Sequence, residues 1–189
     1  SAGVIASAFV GDAAFVLGLA SRSVGHIALL YGYDPEEPSE KLFVMSVVNA
    51  GTALSTSAKT AAMADLSKLT QALVRGKSWA ILNESLISRL STQFAARFGV
   101  RLTKQGLGKA VPAFGVVLGG TFNWTTLEGI VDSADVAYRR RFLLEKYPHL
   151  GDEEEPAVSP DIYPAVPDDT DETISVLGEL KDAGGPDIR

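Results

Sequence analysis

The sequence predicts an all-α fold: a compact multi-helix domain packed through Gly/Ala/Ser seams, followed by a disordered or extended acidic C-terminal tail. Three observations carry this expectation. Apolar residues recur at steps of three and four through long stretches rich in Ala, Leu and Val. Hydrophobic residues make up 46% of the 189-residue chain, and a domain of about 150 residues can bury roughly 70% of the surface its unfolded chain exposes. Charge is also segregated. Residues 1–150 hold 15 Lys/Arg and 11 Asp/Glu, whereas residues 151–189 hold 2 and 12. The expected division is therefore a helical domain over 1–150 and an acidic, Pro-rich tail over 151–189.

The elements follow in order. Residues 3–31 contain no proline and read as one helix, with Gly32 placed where a left-handed C-cap is wanted. Asp34, Pro35 and Glu37 suggest an N-cap, a first-turn proline and a capping-box acid, so a second helix starts between Pro35 and Lys41. Residues 41–75 read as helical, broken near Asn49-Ala50-Gly51 and stopped by Gly76. Trp79, Leu82, Leu86, Leu90, Phe94 and Phe98 mark an amphipathic helix that Gly99 ends, and residues 100–109 read as a loop. A last helical region runs from Pro112 to Tyr147. Beyond Gly151, Asp152 to Glu155 form an acidic block and five prolines interrupt a polar stretch, a composition that buries too little to offset ordering entropy. Within it, Ile174, Val176, Leu177 and Leu180 form one amphipathic island, of the kind that docks on something.

Small residues define the expected seams. Gly11, Gly18, Gly25 and Gly32 recur every seven residues. Glycine inside a helix costs roughly 1 kcal/mol relative to alanine, so a close backbone neighbour is the expected compensation. Gly115, Gly119 and Asn123 suggest a second seam, and Asn49, Asn83 and Asn123 are expected to set register inside apolar packing. On this reading Gly18→Leu and Gly119→Leu overpack and destabilise the fold. The competing reading is a bilayer span. The charge-free stretches 42–58 and 110–127 approach the minimum length, but polar residues dilute both, and Asp12 interrupts residues 1–21.

No catalytic, cofactor or metal constellation emerges. The chain has no cysteine, which excludes disulfides and thiolate sites and fits a reducing compartment. Gly106-Leu107-Gly108-Lys109 lacks the spacing, the hydroxyl after lysine and the preceding strand of a phosphate loop. His26 and His149 lie far apart without metal-ligand spacing. Glu128 and Asp132 share a helix face, and together with His26 they are the residues an enzymatic reading would use. The opening residues carry no basic segment ahead of their apolar run and do not read as a secretory signal.

The segment from Lys59 to Lys109 is basic: Lys59, Lys68, Arg75, Lys77, Arg89, Arg97, Arg101, Lys104 and Lys109 face only Asp65 and Glu84. Gathered on one surface, they would attract anionic lipid, a protein partner or the acidic tail. Nucleic acid is the weakest of these readings, because no reading motif accompanies the charge.

Gly11-Asp12-Ala13-Ala14, Leu19-Ala20-Ser21-Arg22 and the run from Ile27 to Pro35 together resemble the EcsC family of bacterial proteins. Lys109-Ala110-Val111-Pro112, Gly115, Gly119-Gly120, Asn123 and the run Ala137 to Leu143 are similar to it as well. The resemblance covers residues 10–147 and excludes the tail. It implies a helical, cytoplasmic or membrane-associated protein, and it implies no particular reaction. The family takes its name from the third product of an ABC-transporter operon. The chain begins close to the first matching motif, so a helix belonging upstream would leave apolar surface for a second copy to cover. The expectation is thus a non-enzymatic association module, cytoplasmic or peripheral at the inner membrane, with a basic face that the tail regulates. The alternatives are a hydrolase using Glu128, Asp132 and His26, and a self-assembling structural protein that associates through its tail.

Overall fold

The computed structural model describes residues 2–76, 82–107, 115–152 and 173–188, with side-chain surroundings described for 13–76, 82–102, 124, 126–151 and 173–188. Among them are six α-helices and no β-strand: α1 (Ala2–Leu30), α2 (Pro38–Thr52), α3 (Thr56–Val74), α4 (Glu84–Leu107), α5 (Gly115–Lys146) and α6 (Val176–Asp182), with a 3₁₀ turn at Pro148–Asp152.

The helix α2 is the axis of the fold. It packs against α1, α3, α4, α5 and α6, and Leu42 to Ala50 are buried without a break. A helix that is apolar all round belongs in a core or a bilayer. Here the charge-free stretch from residue 42 is a core helix wrapped by protein. Its start falls within the expected range, but its cap and first-turn proline differ from the expected ones. Pro38 occupies the first turn and Glu37 is the N-cap, while Asp34 organises the turn before it by accepting the Glu36 amide at 3.0 Å.

The other boundaries have local causes. At the end of α1, Gly32 adopts φ +87°, the Tyr33 amide donates to the Ala28 carbonyl at 3.0 Å, and the Gly32 amide donates to Leu29 at 3.1 Å. This pair of bonds satisfies carbonyls the helix would leave open. The break between α2 and α3 falls at 53–55 rather than 49–51. Ala53 turns extended and Ser55 caps α3 by accepting the Ala58 amide at 3.1 Å. The helix α4 runs through Gly99 to Leu107, so Gly99 is no stop and 100–107 is no loop. The buried stripe Leu86, Leu90, Phe94, Phe98 continues to carry the helix across it. Asn83 sets no register in a seam; it is the exposed cap of α4, accepting the Leu86 amide at 2.9 Å. The expected start at Trp79 lies outside the described residues.

Among the described residues, a close helix crossing lies where no seam was expected. A Cβ on Gly51 would stand 2.7 Å from the Ile130 Cα and 3.2 Å from the Gly129 carbonyl. The helices α2 and α5 therefore meet backbone to backbone at Gly51 and Gly129. The seam expected on α1 passes elsewhere. The buried line is Ala13, Ala20, Val24 and Ala28, whereas Gly18 is exposed with nothing within 4 Å of its Cβ position. Of the heptad glycines, Gly25 is buried, against Pro35 at 3.4 Å.

The C-terminal segment packs against the helical body. Ile174, Val176, Leu177, Leu180 and Ile188 are buried with the residues of α1 to α5. Four apolar side chains in seven residues supply enough burial to order this island, at roughly 1.5–3 kcal/mol for each one fully covered. The acidic block at 152–155 lies outside the described side chains.

Candidate functional site

The helix α1 presents the least covered apolar surface. Of the 18 residues Ala13–Leu30, with mean hydropathy 1.6, only 28% are buried. This is the one described helix long and apolar enough to cross a membrane by length and composition. Its buried line packs on α2, α4 and α5. At 100° per residue, the side chains that turn away form a single stripe: Phe15, Leu19, Arg22, His26, Leu29 and Leu30. Phe15 is 67% exposed, Leu29 57% and Leu30 85%. Arg22 and His26 sit mid-stripe, with apolar side chains at both ends.

Beside this stripe lies a groove of about 530 Å³ between α1, the 31–37 connector, α2 and α4. Arg22, His26 and Leu29 form its α1 wall, and Val44 and Met45 its floor. Lys41 reaches its edge and pairs with Glu36 and Glu84, each at 3.4 Å. The exposed face of α5 adds Trp124, Val131, Val136, Phe142 and Leu143 to the apolar surface.

Beneath the surface, two buried polar clusters fix the helices. In the first, Arg141 on α5 pairs with Glu40 on α2, donates to Glu145 at 3.0 Å and lies 4.0 Å from the Tyr33 ring centre. Tyr138 donates to Glu40 at 3.2 Å. Desolvation pushes the Glu40 carboxyl above its usual range, against the opposing pull of Arg141. Burial likewise raises Tyr33 and Tyr138, helped by Glu145 and Glu40 respectively. In the second cluster, Arg101 is fully buried. It donates to the Asn49 side-chain oxygen at 2.9 Å and to Thr52 at 3.1 Å. Lys59 turns inward to the Ala50 carbonyl at 2.7 Å, and desolvation lowers its ammonium pKa.

These positions dismantle the expected basic face. Arg101 is interior, Lys59 is part-buried with its ammonium turned inward, and Arg97 pairs with Glu179 of the C-terminal segment at 2.7 Å. Lys68, Arg75 and Arg89 are exposed on two different helices. Lys77 and Lys109 lie outside the described residues, and the Lys104 side chain does too. The surroundings of Gly11, Gly115, Gly119 and Asn123 are likewise undescribed. Periodicity held the signal for Arg101. It continues the stripe Leu90, Phe94, Phe98 at the next step of three, and the stop assigned to Gly99 hid it.

The enzymatic candidates are not gathered in one pocket. His26 lines the α1 groove, whereas Glu128 and Asp132 are exposed on α5 and line neither described groove. Among the described residues no group of three or more His, Cys, Asp or Glu could hold a metal ion.

The model of the EcsC protein family matches residues 7–143. An uncharacterized protein of Bacillus subtilis (strain 168), YdbA, is 28% identical over 148 residues, covering 71% of this chain and 47% of that protein. The chain thus spans about half the length of that relative. No solved structure matches.

Proposed function

The chain belongs to the EcsC protein family, and from that premise we propose that it acts by association, seating the outer stripe of α1 in the interfacial layer of an anionic membrane. The observation that carries this reading is the apolar helix Ala13–Leu30, less than a third buried. A helix in this position lies along the interface and sinks its apolar side chains to the headgroup boundary. Phe15, Leu19, Leu29 and Leu30 each offer part of the roughly 1.5–3 kcal/mol available to a fully buried side chain. Arg22 in the middle of the stripe meets the headgroup charge. Crossing the bilayer would require α1 to surrender Ala20, Val24 and Ala28, which are fully buried against the body. A peripheral position keeps them, and the surface we propose for it is the cytoplasmic face of the inner membrane.

Vesicle flotation tests the reading. The full chain is expected to float with anionic vesicles more than with neutral ones, and Phe15→Glu/Leu30→Glu to stay at the bottom. Equal flotation of both proteins, or none of either, overturns it.

One observation favours a second reading, in which a second copy covers the stripe. Gly18 has open space beside it, which lets another helix approach closely. Light scattering across concentrations separates the two. Gly18→Leu is expected to abolish a dimer formed this way and to leave vesicle binding intact.

A further inference from the structure

The C-terminal segment is held the way a peptide ligand is held. Ile174, Val176, Leu177 and Leu180 are buried in a groove walled by α2, α3 and α4. Each wall adds one polar residue at a fixed place. From α2, the Asn49 side-chain amide donates to the Ile174 carbonyl at 2.8 Å. From α3, the Asp65 carboxylate accepts the Ser175 hydroxyl at 2.7 Å and the Leu177 amide at 3.4 Å. From α4, Arg97 meets Glu179 at 2.7 Å. Apolar pockets with a backbone reader and a charge reader constitute a recognition site for one short amphipathic motif.

The segment is joined to the body only through residues 153–172. Twenty residues span up to about 70 Å when extended, so the covalent connection does not force the segment into place.

We infer that the α2–α3–α4 groove is a peptide-binding site. Its resident ligand is the chain's own Thr173–Ile188, and it accepts the same motif from a second copy when the resident segment is disabled. The motif is Ile-Ser-Val-Leu followed two residues on by an acid and then a leucine. This inference is independent of the membrane reading, because it concerns different helix faces.

The test uses the full chain and a fluorescent synthetic peptide of residues 173–188, with anisotropy as readout. Leu177→Glu/Leu180→Glu disables the resident segment and is expected to bind the peptide at least tenfold more tightly than the wild-type chain does. Adding Arg97→Glu should cut that affinity about threefold to fivefold, the range open to a half-exposed ion pair, and a Glu179→Arg peptide should restore it. Glu179→Arg in the chain alone loosens the resident segment more gently and should give an intermediate affinity. A disabled chain that keeps its helical circular dichroism yet binds no peptide, or binds a scrambled one equally well, overturns the inference. So does loss of helical structure in both chain variants, since the segment would then be an integral part of the core rather than a ligand.

Discussion

At the scale of single residues, the decisive positions are those where burial and charge conflict. Glu40 and Arg141 are 4% and 9% exposed at their side chains, and breaking such a pair leaves an uncompensated charge at a cost of about 3–5 kcal/mol. Glu40 already has a folded-state pKa above its unfolded value. The stability it contributes is therefore fully present below the unfolded carboxyl range and is lost as pH rises through the folded value. Arg141→Met removes the cation that opposes this rise. Urea titrations of that variant should show most of the loss at neutral and alkaline pH, shrinking toward about pH 4, where Glu40 is protonated in both states. Glu40→Gln added to Arg141→Met should recover part of the loss at neutral pH. A pH-independent penalty would contradict this.

Two glycines form a matched residue-scale pair. Gly51→Ala pushes a Cβ into the Ile130 backbone and should destabilise by about 1–3 kcal/mol through overpacking. Gly18→Ala points into open space and should stabilise a monomer by about 1 kcal/mol from helix propensity. Thermal melts of the two variants should move in opposite directions. The sequence pattern ranked these positions in the reverse order. Heptad spacing made Gly18 conspicuous, but glycine spacing within one helix says nothing about which face meets another backbone. The pairing of Gly51 with Gly129 is a contact between distant segments, and no local pattern encodes it.

At the scale of elements, most helices were legible and their ends less so. The Gly32 and Gly76 stops follow from backbone geometry that favours glycine, with φ +87° and +63°. Gly99 carried the same sequence sign, but it sits inside a helix whose buried stripe continues to Arg101, and tertiary burial outweighs propensity there. Asn83 misled in the opposite sense. An asparagine ahead of an apolar run signals a cap as readily as a buried amide. Asn83→Ala should cost about 1 kcal/mol and lower the melting temperature without altering helix content at low temperature. The exposed stripe of α1 was visible only once the structure showed which of its faces packs. Composition presents Ala13–Leu30 as apolar without naming its outer face, and the less apolar α2 is the more deeply buried of the two, from Leu42 to Ala50 without a break.

At the scale of the whole molecule, the division of charge is plain in the sequence, whereas the contact that the described part of the tail makes is not. The acidic segment was expected to answer a basic face. Arg101 is interior and Lys59 part-buried, and the described part of the tail is anchored by apolar side chains with an ion pair to α4, Arg97 to Glu179. An ion pair with Arg97 about half exposed contributes little, about 0–1 kcal/mol. A tenfold rise in salt should therefore leave the unfolding midpoint nearly unchanged, although it screens surface charge. A large fall in stability would show that electrostatics hold the segment after all. The island at Ile174 to Leu180 was recognisable from its spacing. Its docking place depends on Asn49, Asp65 and Arg97 meeting across three helices, which only the fold brings together.

The bond between Asn49 and the Ile174 carbonyl also sets a schedule. Its two ends are 125 residues apart. At synthesis rates of about 5–20 residues per second, the second partner emerges roughly 6–25 s after the first. The groove is complete only once α4, which ends at Leu107, has emerged, and for the rest of that interval it has no segment to fill it. Nascent chains on one message would pass through that stage side by side, each with an open groove and, a little later, a free end that fits its neighbour's as well as its own.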